Sequence, residues 1–136
     1  MNTLTEIWGR QRKKMIRIVV SAQPQACPRP RFTRAGSIYM PREYRQFQAQ
    51  VKAAGKLAMA GRKPLLGALK CRLKFYRQFR ADSRRFGDAD NLAKAITDAL
   101  NKIAFADDSQ ITQLTVEKIQ SQAACVEVEI SSVDEK

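Results

Sequence analysis

Carboxylates are crowded into one stretch of an otherwise basic chain: Asp88 and Asp90 flank Ala89 just ahead of Asn91, and Asp107-Asp108 follow a segment of helical character. Acids this close repel one another, and they repel phosphate, unless a divalent cation bridges them to it. Magnesium is commonly held by one or two carboxylates and keeps several waters with which to meet a phosphate. It makes such a water a better nucleophile, and a lysine beside it stabilises the charge that develops at phosphorus. Lys94, about one helical turn beyond Asp90, is placed for that second part. Two structural alternatives compete. Asp88 or Asp90 can cap a helix N-terminus, and Lys94 can pair with Asp90 or Asp98 at i,i+4 spacing. A cap needs one carboxylate, however, and this stretch offers four.

The chain contains no histidine. Ser-His-Asp and Cys-His nucleophiles and histidine general bases are therefore excluded, leaving carboxylates, lysine and metal-bound water for any proton transfer. Cys27, Cys71 and Cys125 stand far apart with no C-x-x-C spacing, which excludes a Cys/His zinc site. They read as reduced thiols, with Cys71 and Cys125 in strands.

Residues 1–85 hold 21 Lys/Arg against 3 Asp/Glu, whereas residues 86–136 hold 4 against 10. A basic body of this kind concentrates polyanions, so nucleic acid is the expected partner. There is no run of about 18 apolar residues to cross a membrane, and no signal-peptide pattern opens the sequence, so a soluble, cytoplasmic protein is expected.

The elements that must position these groups can be read from periodicity. Residues 1–14 are polar and basic without sustained periodicity and are expected to be loosely ordered. Residues 15–132 form one domain, and residues 133–136 a disordered tail. Ile16–Ala22 is β-branched and predicts a strand. Three prolines between Gln23 and Arg31 then impose an extended loop. A turn at residues 34–37 precedes a helix from Pro41 or Arg42 to about Ala60, stopped by Gly61. Leu69–Phe79 alternates as a half-buried strand does. In the second helix Leu92, Ala95, Ile96, Ala99, Leu100 and Ile103 share one sector, leaving Asp90, Lys94, Thr97, Asp98 and Asn101 for a ligand. Ile111–Ile119 and Cys125–Ile130 read as two strands around a polar turn, a hairpin. Strands and helices without strict βαβ repetition give an α+β fold, a small mixed sheet packed with two main helices. Phe32 and Tyr39 are expected to pack in the core, the alternative being aromatic wedges that insert into bound nucleic acid.

With these residues in view, a family resemblance emerges. Arg85 to Ile111, RFGDADNLAKAITDALNKIAFADDSQI, resembles the D-x-D-N-L-x-K, D-A-L and D-D-x-Q-I elements of RusA-type Holliday junction resolvases, small endonucleases of phages, prophages and bacteria. The stretch QPQACPRPRFTRAGSIYMP is similar to the proline/arginine-rich loop of phage-type members, and together the likeness spans most of residues 16–130. The resemblance implies a symmetric homodimer that binds four-way or otherwise branched DNA and makes paired, Mg²⁺-dependent nicks in recombination and repair. It implies Asp88, Asp90 and Asp108 as the essential metal-binding acids, Lys94 as the catalytic lysine and Asp107 as an assisting acid. Many relatives carry lysine where Cys27 stands, a departure that removes one DNA contact and leaves the acids untouched.

Twofold symmetry also suits the substrate, because an isologous dimer presents two sites to the two equivalent strands of a junction. Arg29, Arg31 and Arg34 of the loop and Arg84 and Arg85 beside the acids are the candidate phosphate contacts. Two other readings are a non-catalytic nucleic-acid-binding protein and an inactive prophage remnant of the same fold. The complete set of acids with Lys94 argues against the latter. No small-molecule cofactor and no membrane partner are expected.

Overall fold

The computed structural model describes residues 15–28, 31–78 and 88–133, so the readings of 1–14 and of 134–136 lie outside the described residues. Six strands and two helices follow in the order β1 (Met15–Val20), β2 (Arg31–Phe32), β3 (Ile38–Tyr39), α1 (Arg42–Met59), β4 (Leu69–Arg77), α2 (Ala89–Leu100), β5 (Ile111–Gln120) and β6 (Cys125–Ser132). The architecture is α+β, as the mixture of periods predicts.

Alternation builds the sheet. In β4 the side chains of Leu69, Cys71, Leu73 and Phe75 are buried; Ile16, Ile18 and Val20 of β1 and Val126, Val128 and Ile130 of β6 join them. Against this face pack Tyr44, Phe47, Val51 and Met59 of α1 and Leu92, Ala95, Ile96, Ala99 and Leu100 of α2. No polar or charged residue is buried among those described, so any chemistry sits on the surface. The helices meet at Gly55, where a Cβ atom would stand 2.6 Å from Leu100 Cδ2.

The strand order β1-β6-β4-β5 overturns the expected hairpin. β5 and β6 are adjacent in sequence but β4 lies between them, antiparallel to β6 and parallel to β5. The reason lies in burial. β4 has a fully apolar face and needs neighbours on both sides, while β5 exposes Thr112, Gln113, Leu114 and Thr115 and suits an edge. A parallel β4–β5 pair needs a crossover, and α2 is that crossover.

The opposite face of the sheet carries charges of both signs. Arg72 meets Glu117 at 2.7 Å and Arg17 meets Glu127 at 3.5 Å, while Lys74 lies directly across from Glu127 and Arg72 from Glu129. The assignment of Phe32 and Tyr39 to the core is also corrected, since they are 68% and 45% exposed. They sit on the two-residue strands of the β2–β3 hairpin, which is too short to fold back over the core. Among the described residues no helix is long and apolar enough to cross a membrane.

Candidate active site

α2 begins at Asp88, whose backbone is extended (φ −73°, ψ 143°) and whose carbonyl accepts from Leu92 N–H at 2.9 Å. Asp88 thus occupies the N-cap position, but its carboxylate makes no capping hydrogen bond and stays exposed. Asp90 is exposed two residues later, its Oδ1 accepting from Asn91 N–H at 2.9 Å. Lys94 is exposed on the same helix, and among the described residues neither Asp90 nor Asp98 forms an ion pair with it. The i,i+4 pair is therefore not realised, and of the two acids Asp90, not Asp88, satisfies a first-turn N–H.

The proline-rich loop is tied to this end of α2. Cys27 N–H donates to Asn91 O at 3.0 Å, and Arg77 Nη1 reaches Pro24 O at 3.4 Å. Below the loop Tyr44 accepts from Gln48 Nε2 at 3.0 Å. Burial, together with Cys27 and the charge of Asp98, drives the Tyr44 phenol well above its usual range. Arg34 is exposed in the turn of the β2–β3 hairpin; only the backbone of Arg31 is described, and Arg29, Arg84 and Arg85 lie outside the described residues.

Asp107 and Asp108 sit on a single 3-10 turn (Asp108–Gln110) leading into β5. Asp107 is its N-cap: Oδ2 accepts from Ser109 N–H at 3.0 Å, while Gln110 Oε1 accepts from Asp107 N–H at 2.8 Å, a reciprocal capping box. The hydrogen bonds from Ser109, aided by the nearby charge of Lys102, hold the Asp107 carboxyl below the usual carboxylate range. Gln110 also donates through Nε2 to Leu65 O at 3.0 Å and Gly67 O at 2.9 Å, fastening the turn to the segment before β4. Asp108 is exposed, and its carboxylate has no hydrogen bond or ion pair among the described residues.

The two acid pairs lie at opposite ends of the sheet. Ile111 pairs with Leu69 at the start of β4, and Asp107–Asp108 precede it. Val20 and Phe75 are both level with Val126, and the loop that follows Val20 reaches Asn91 near the far end of β4. Helix α2 runs between the pairs, and its 12 residues span roughly 18 Å. Accordingly, among the described residues no three Asp, Glu, Cys or His side chains gather closely enough to hold a metal ion. Within one chain the expected convergence of the four acids is not met. The donor set itself, exposed carboxylate oxygens without nitrogen or sulfur, has the hard-ligand chemistry of magnesium.

The model of the RusA endodeoxyribonuclease family matches residues 21–131 of this chain. The chain belongs to that family. The family takes its name from the endodeoxyribonuclease RusA. The match covers the loop, both helices and the acidic turn. A second likeness is to the uncharacterized protein YqaN of Bacillus subtilis (strain 168), 46% identical over 46 residues, which are 34% of this chain and 32% of that protein. The chain therefore spans about a third of the length of that curated relative.

In the sequence Gln110 stands out only as a letter of the RusA-type D-D-x-Q-I element. Its clamp onto Leu65 and Gly67 has a partial signal in the capping-box spacing Asp107-x-x-Gln110. The Asn91 carbonyl that anchors the Pro/Arg loop has none, because backbone acceptors leave no trace in composition.

Proposed function

We propose that the protein is a structure-selective endonuclease that cuts four-way DNA junctions by Mg²⁺-dependent phosphodiester hydrolysis, acting as a homodimer in recombination and repair. One observation carries the reading. In a chain of net charge +12, Asp88 and Asp108 are exposed and have no cationic partner among the described residues, and Asp88 sits at a helix cap without capping it. Acids left open in so basic a chain suit a cation and a phosphate better than they suit folding.

The separation of the acid pairs supports the dimer. A twofold partner that sets its Asp107–Asp108 turn against the Asp88–Asp90 end of α2 completes two equivalent sites, each built from both subunits. Asp88, Asp90 and Asp108 would hold the ion, with Asp107 fixing the turn that presents Asp108. Magnesium, when bound, supplies an activated water and neutralises charge on the phosphate. Lys94, one turn inside α2, brings a cation to the same end of the helix and stabilises the charge on the non-bridging oxygens. The proline-rich loop is tied to α2 through Cys27 N–H and the Asn91 carbonyl, and the candidate arginines Arg29, Arg31 and Arg34 would hold the DNA backbone.

The test is direct. Purified protein is incubated with a synthetic four-way junction or a matching linear duplex, in magnesium or in chelator, beside an Asp90→Asn variant. Paired incisions in the junction, little cutting of the duplex, and loss of cutting but not of binding in the variant are expected. Cleavage that persists in chelator rejects the metal mechanism, and binding without any cleavage favours a regulator.

A further inference from the structure

A second group of cations stands apart from the arginines already considered. Arg42, Arg45, Lys52 and Lys56 are all exposed on α1, and at 100° per residue they fall within about 80° of one another. They form a stripe down the flank of an 18-residue helix, roughly 27 Å long. Glu43, the acid of this helix, lies on another side of it. The stripe runs into a cleft of about 270 Å³ lined by Lys56, Arg62 and Lys102 together with Met59, Gly61, Pro64 and Ile103.

Two features set this cleft apart from ordinary surface lysines. First, Lys102 has φ +67°, a left-handed backbone that glycine or asparagine adopts at lower cost. A lysine held there presents a cation at a position where the backbone disfavours it. Second, Arg17, Arg72 and Lys74 of the sheet's solvent face lie against Glu117, Glu127 and Glu129, whereas among the described residues none of the stripe and cleft cations is in an ion pair. Arg62 donates to the Met59 and Ala58 carbonyls, at 2.9 and 3.0 Å, which explains its own position but leaves its charge at the cleft.

We propose that this stripe and cleft form a phosphate track that holds the backbone of one duplex arm of the DNA substrate. The inference rests on the endonuclease reading, since it takes the bound polymer to be DNA. The track ends near the Asp107–Asp108 turn, because Lys102 N–H donates to Phe105 O at 2.7 Å, two residues before Asp107. It carries no sequence preference, as its cations meet phosphates and not base edges. Its contribution is affinity and arm direction.

The experiment measures junction and linear-duplex binding against salt, with Asp90→Asn as the non-cutting background. Lys102→Gly and Lys102→Asn remove the cation from a backbone position that both residues tolerate, and Lys52→Gln/Lys56→Gln removes two from the stripe. Taking away one phosphate-binding cation lowers the slope of log K against log salt by about 0.9 on duplex DNA. By the same relation a shift of about 0.9 is expected for either Lys102 variant and about 1.8 for the double variant, equally on junction and duplex, with thermal stability retained. Unchanged slopes in variants that still fold overturn the track while leaving the endonuclease intact. Failure of the background protein to bind any DNA overturns both. A mononucleotide at matched ionic strength is expected not to compete; competition would confine the site to a small anion pocket and overturn the track.

Discussion

Gln110 accepts the Asp107 backbone N–H through Oε1 at 2.8 Å and, with the other end of the same amide, holds Leu65 and Gly67 through their carbonyls. One side chain thus fixes the acidic turn to the segment before β4. Gln110→Ala removes all three hydrogen bonds and is expected to cost about 1–3 kcal/mol in urea unfolding. Cleavage is expected to fall while junction binding is retained, because the loss reaches the acids by position rather than by charge. Gln110→Glu keeps the acceptor for Asp107 and loses both donors, so its defect should follow the Leu65 and Gly67 contacts. An Ala variant as stable and as active as the parent removes the clamp.

The separation of Asp88 and Asp90 from Asp107 and Asp108 makes subunit mixing informative. If each site draws on both chains, a heterodimer of Asp90→Asn with Asp108→Asn carries one doubly defective site and one intact site. Each variant alone is expected to be inactive, and the mixed dimer to nick one strand of the junction. If every site lies within one chain, mixing restores nothing. The readout is strand-specific nicking of a labelled junction after co-refolding.

Much of the fold was legible in the sequence. β4 alternates strictly, so its buried face could be named residue by residue, and α2 sorted its apolar sector from Asp90 and Lys94 by angle alone. The pairing of β5 was not legible. Period 2 reports which face is buried and says nothing about which strand lies alongside, and the short β5–β6 turn suggested a hairpin that β4 interrupts. The acids were legible as types and spacings, but their separation along α2 depended on the crossover, a consequence of that same unread pairing. Phe32 and Tyr39 were misplaced because aromatic character predicts burial only where an element is long enough to be covered.

Alkaline pH offers an independent check on the core. Burial pushes the Cys71 thiol up to about 12, and it drives the Tyr44 phenol up as well. For an acid whose folded value is raised, the stabilising contribution is complete below the unfolded value, near 9 for the thiol, and is lost as pH rises toward the folded one. Stability is therefore expected to decline from about pH 9 upward, by roughly 1.4 kcal/mol per pH unit for each such group. Cys71→Ala lowers stability at neutral pH but flattens the alkaline slope. Equal slopes in parent and variant, measured by denaturant unfolding at a series of pH values, reject the assignment.

Gly55 tests the contact that sets the two helices against each other. Glycine inside a helix is about 1 kcal/mol worse than alanine by propensity, so an unhindered Gly55→Ala would stabilise. Here the added Cβ would stand 2.6 Å from Leu100 Cδ2 and 3.4 Å from Ile103 Cγ2. Leu100 is fully buried, so its methyl gives way only by shifting against the side chains packed around it. Overpacking of this kind costs about 1–3 kcal/mol, enough to reverse the propensity gain, and Gly55→Val should cost more than alanine. Shortening the opposing side chain relieves the clash, so Gly55→Ala/Leu100→Ala is expected to be less destabilised than the sum of its single changes, by about 0.5–3 kcal/mol. Additive single and double variants, or a stabilised Gly55→Ala, would show that α1 and α2 do not approach so closely. The basic stripe on α1 would then be held at a different angle to the acids on α2.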